Sequence, residues 1–154
     1  MRTIDRLLWR SSVVALYAMA WISLTGCENP IKSHHPEHSD AEGFIVLRDG
    51  VERAWTVGIE VEGRLLVDLG DTAWFEVRFV DDHGDVIDSA RLEDDFALDI
   101  TNRDDGIVEV LSAPNWMFSL VGLKAGSTAV EIGLLHLPAA HFDFHPREVP
   151  VVVQ

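Results

Sequence analysis

From residue 43 to residue 154 no stretch of the chain keeps a helical period for ten residues. It runs instead as short apolar segments broken by Gly, Asp and Asn. Such a chain cannot lay a continuous apolar stripe along a helix, so it must bury its apolar side chains by pairing strands. The clearest strand covers residues 73–80, where Phe75, Val77 and Phe79 share one face and Glu76 and Arg78 the other. Further strands are expected over 44–47, 55–61, 65–69, 96–100, 107–111, 117–123, 127–135 and 149–153. Asp49-Gly50 and the run Asp81-Asp82-His83-Gly84-Asp85 read as hairpin turns. Short strands with a turn signal between each pair indicate a single all-β domain over 43–154, an antiparallel sandwich. At 47% hydrophobic residues the chain has enough apolar content for a core.

The first 42 residues are of another kind. Residues 1–10 carry Arg2, Arg6 and Arg10 against Asp5, and residues 13–24 are apolar but shorter than the roughly 20 residues a membrane span needs. A basic start, a short apolar core and small residues before a cut describe a secretory signal. The stretch ends in Leu24-Thr25-Gly26-Cys27, which holds the only cysteine of the 154 residues. These four residues resemble the lipobox of bacterial lipoproteins. The resemblance implies that residues 1–26 are a cleaved signal peptide and that Cys27 becomes an N-terminus carrying a diacylglyceryl thioether and a further acyl chain such as palmitate. Two or more chains hold a protein to a membrane where one does so only marginally. By the same resemblance, Glu28 in place of Asp after the cysteine favours the outer membrane of a two-membrane envelope, facing the periplasm or the cell surface. Residues 27–42 contain one large apolar residue, Ile31, with Pro30 and Pro36, and read as a flexible, His-rich tether.

Three segments of the β region resemble bacterial Ig-like domains. Phe79-Val80-Asp81-Asp82-His83-Gly84-Asp85-Val86-Ile87 is similar to their strand–turn–strand. Residues 120–130 are similar to their late Gly-x-x-x-Gly turn and following apolar strand, and Val149-Pro150-Val151-Val152-Val153 to their closing strand. The resemblance implies an Ig-like sandwich and departs from the family in a longer, histidine-rich insertion over residues 136–146.

Charge narrows the function classes. Without residues 1–26 the chain keeps 9 basic and 25 acidic residues, a net charge of −16. That excludes the basic footprint of nucleic-acid binding and electrostatic docking on anionic lipid heads, and suits metal ions or basic partners. A single cysteine excludes an internal disulfide. The remaining signal is histidine. His34, His35 and His38 lie in the tether, and His141-Phe142-Asp143-Phe144-His145 alternates so that, on a regular strand, both Phe side chains face the core and His141, Asp143 and His145 face outward together. Two such ligands can share one zinc or copper ion, with His136 or the tether completing a tetrahedron. The same pattern is also that of an ordinary polar strand face. No Gly-x-Ser-x-Gly or Gly-rich phosphate loop is present, and the carboxylate-rich turns lack the burial that acid–base chemistry needs. The sequence therefore supports a lipid-anchored, non-enzymatic module of the cell envelope, with a binding or structural role toward an envelope partner. The alternative is a zinc- or copper-binding lipoprotein using His34, His35, His38, His136, His141, Asp143 and His145.

Overall fold

A computed structural model describes residues 38–154. The expected signal peptide, the lipidation site Cys27 and the tether histidines His34 and His35 lie outside the described residues. Ten strands form two sheets: β1 (Gly43–Arg48), β2 (Val51–Val57), β3 (Val61–Gly63), β4 (Leu65–Val67), β5 (Thr72–Val80), β6 (Phe96–Asn102), β7 (Val108–Ala113), β8 (Met117–Gly122), β9 (Gly126–His136) and β10 (His141–Val153). A six-stranded sheet has the order β3-β2-β1-β5-β8-β7, and a four-stranded sheet the order β4-β10-β9-β6. All pairings are antiparallel except β4 with β10. The all-β sandwich expected from the sequence is the fold of the chain, and no α-helix occurs among the described residues.

Local sequence explains the pairing. Asp49 and Gly50 both take positive φ, 56° and 74°, and Arg48 pairs with Val51 across them. A two-residue loop with two left-handed residues matches the twist of the strands that it joins. On β5 the alternation holds as expected: Phe75, Val77 and Phe79 are buried. They meet Leu65, Val67, Val130, Ile132, Leu134, Val149 and Val151 of the other sheet in one core. Phe79 sits at its aromatic centre, with its ring edge-on to Phe44, Phe144 and Trp116 at centroid distances of 6.5, 6.1 and 5.9 Å.

Three local expectations differ from the structure. The turn over 81–85 is followed by a single bridge, Val80 to Val86, and by a short 3-10 turn over Ser89–Arg91, rather than by a second strand. The run 136–146 is not an insertion set apart from the closing strand. It is the tip of a long β9–β10 hairpin whose second strand continues unbroken into 149–153. Finally, the last residues of the expected tether are packed: Ser39 and Ala41 are buried. The Glu42 N–H donates to the Val80 carbonyl, and the Gly58 N–H donates to the Glu42 carbonyl. Ala41 joins the core cluster, which gives this short polar segment the apolar contact that its composition hides.

Candidate metal site at the end of the sandwich

The even-numbered residues of β9 from Val130 to Leu134 face the core, and His136 is the next in that row. It pairs with Phe96 on one side and with His141 on the other. The His136 ring stacks on Phe96 with centroids 4.8 Å apart and planes at 20°, and it meets His141 edge-on at 5.2 Å. Two histidines thus sit opposite one another where the β9–β10 hairpin reaches the end of the core.

The pleat of β10 does not run as the sequence suggests. Register shifts fall between Phe142 and Phe144 and between Phe144 and Arg147. The first leaves Asp143 as the extra residue of a bulge, and a bulge re-aims a side chain that simple alternation would send outward. Asp143 is therefore not on a common outward face with His141 and His145: its side chain is only 3% exposed. Phe142 does not reach the core either. It lies with Pro146 over Gly133, where an added Cβ would stand 3.0 Å from Pro146 Cγ and 3.2 Å from Phe142 Cε1. Phe144 is buried as expected, with the Arg147 guanidinium 5.3 Å above its ring and Arg147 Nε donating to the Gly58 carbonyl.

A buried carboxylate needs donors, and Asp143 takes them from the segment before β1. Its Oδ1 stands 2.8 Å from His38 Nδ1, and its Oδ2 accepts the Ser39 N–H in a short hydrogen bond. The same Oδ1 is 3.8 Å from His141 Nε2. Burial pushes the Asp143 carboxyl up, but hydrogen bonds from Ser39 and His38 outweigh it and hold the group below the ordinary carboxylate range. Ligand atoms of His38, His141 and Asp143 lie within 4.8 Å of one another. The His136 ring closes the group, 6.5 Å from His38, while the His38 and His141 rings are 5.9 Å apart. His136 Nδ1 is buried with no hydrogen-bond partner among the described residues. Such an orphan costs about 1–3 kcal/mol unless something else satisfies it.

Of the seven expected ligands, the structure groups His38, His141 and Asp143, with the His136 ring beside them. His145 is exposed, its ring 6.3 Å from Phe142, and is not one of the grouped ligands. The part of Ser39 was not legible: a backbone N–H aimed at a carboxylate 104 positions away leaves no mark in a side-chain pattern. A second group, Asp81, Asp82 and His83, has a local explanation. Asp81 Oδ1 accepts the N–H groups of His83 and Asp85, the ordinary internal bonding of an Asp-led turn. These bonds hold the Asp81 carboxyl below its usual value.

No protein-family model matches the chain, and no curated protein matches it. Among solved structures, domains 4 and 5 of the S-layer protein SbsC are similar at 18% identity and a TM-score of 0.43, over 65% of this chain and 51% of that one. Domains 5–6 of the same protein are similar at 18% identity and 0.43, over 59% and 39%. Domains 4–9 are similar at 14% and 0.43, over 77% and 23%. The chain thus matches about half or less of the length of each of these structures.

Proposed function

We propose that the chain is a lipid-anchored, non-enzymatic module of the cell envelope that binds a divalent transition-metal ion, zinc or copper, at the capped end of its sandwich. The observation that carries the reading is the convergence of His38, His141 and the buried Asp143, with ligand atoms within 4.8 Å of one another, from segments more than a hundred residues apart. Imidazole and carboxylate are a donor set suited to zinc, copper or nickel. A tetrahedral zinc site brings donor atoms to about 3.3 Å from one another, so binding requires the three side chains to draw in by small rotamer shifts. To ligate, His38 Nδ1 must turn its lone pair to the ion in place of its contact with Asp143 Oδ1, so a proton on that imidazole competes with the metal. The net charge of −16 beyond residue 26 favours the approach of cations.

The lipobox Leu24-Thr25-Gly26-Cys27 supports the anchor, which would hold the site at a membrane surface facing the periplasm or the cell exterior. The test is calorimetric titration of zinc and of copper into the full-length processed protein in detergent. One ion per chain is expected, with weaker binding after His141→Ala.

A further inference from the structure

We propose that His136 is a fourth ligand, so that the ion is enclosed by three imidazoles and one carboxylate in a closed tetrahedral site suited to zinc. The inference rests on the metal-binding reading above and deepens it. Two observations outside the His38–His141–Asp143 group carry it. The first is the orphaned nitrogen: His136 Nδ1 is buried without a partner in a residue 8% exposed, directly across the β9–β10 ladder from His141. A buried polar atom in that position is accounted for if a ligand satisfies it. The ring can also turn by half about its Cβ–Cγ bond and still lie flat on Phe96.

The second observation is the spacing of the rings. A zinc–nitrogen bond of about 2.05 Å, with about 1.1 Å more to the ring centre, puts tetrahedrally arranged imidazole centroids about 5.1 Å apart. The His136 and His141 centroids are 5.2 Å apart, those of His38 and His141 are 5.9 Å apart, and those of His38 and His136 are 6.5 Å apart. The pair from the hairpin already has the required spacing. His38, on the segment before β1, has the farthest to move, and the Asp143 carboxylate that would share the ion already contacts it.

Four protein ligands leave no position for water or substrate, the arrangement of a holding site rather than a catalytic one. Tetrahedral N₃O ligation also fits zinc better than copper(II), which prefers tetragonal geometry.

Cobalt(II), a spectroscopic stand-in for zinc, tests this in the full-length processed protein. The intense visible bands of tetrahedral cobalt are expected, with loss on adding one equivalent of zinc. His136→Phe, which keeps an aromatic ring on Phe96, should weaken zinc binding at least tenfold and replace those bands with the faint ones of a water-bearing, higher-coordinate ion. Cobalt bound by the parent with faint six-coordinate bands overturns the fourth ligand while leaving the metal site standing, and this measurement needs no variant. A tetrahedral spectrum unchanged by both His136→Phe and His136→Gln overturns it as well. A parent that binds neither cobalt nor zinc removes the site altogether.

Discussion

A carboxylate with 3% of its side chain exposed persists in a fold only where donors surround it. Asp143 draws its donors from His38 and Ser39, so the fold stabilises its ionised form. Its folded-state carboxyl lies below the ordinary range, and its ionised form contributes stability above about pH 4 that is lost as the pH falls through the lowered value. Asp143→Asn should remove that contribution. Chemical denaturation across a pH series should show a gap between parent and variant at pH 7 that narrows progressively as the pH falls below about 4. A gap that stays constant down the series would place the carboxylate outside the folding equilibrium. The sequence showed the ligand types here but not the route by which they meet. Alternation predicted that His141, Asp143 and His145 would share a face. The bulge at Asp143 broke that parity, and bulges leave little trace in composition. His145 was a candidate only through the assumed pleat, and it falls away with it. His38 and His136 were legible as nearby imidazoles, and the fold supplies the reason that they converge.

At the scale of strands, hydrophobic period was a good guide wherever one face is buried. β5 reads directly from its sequence, because Phe75, Val77 and Phe79 alternate with polar residues and all three are buried. Phe79 makes three edge-on ring contacts. Truncation to alanine should cost about 3–5 kcal/mol, measurable as a shift in the denaturation midpoint at unchanged slope. A loss below about 1 kcal/mol would mean that the two sheets do not close over this ring. Where a bulge interrupts the pleat, period fails. Phe142 reads as a core residue and lies instead over Gly133 on the outer face of its sheet. The segment before β1 reads as spacer because it is short and polar. Its packing depends on one small side chain, Ala41, and on backbone N–H groups, which hydropathy does not register.

For the whole molecule, the anchor and the site are separable claims. If Cys27 is lipidated, Cys27→Ser should abolish incorporation of a labelled fatty acid. Equal label in mutant and parent would remove the anchor and leave the site untouched. The histidines call for a pH dependence of their own. Protonated imidazole cannot ligate, so zinc affinity should fall as the solution is acidified. The most direct test of the account is calorimetric titration of zinc into the full-length processed protein near neutral pH, repeated with His141→Ala, Asp143→Asn and His83→Ala. The account predicts one ion per chain, weakening of roughly tenfold or more for the first two variants, and no change for His83→Ala, whose imidazole sits beside Asp82 in the Asp81-led turn. An absence of heat at tens of micromolar zinc, or an equal loss with His83→Ala, would contradict it.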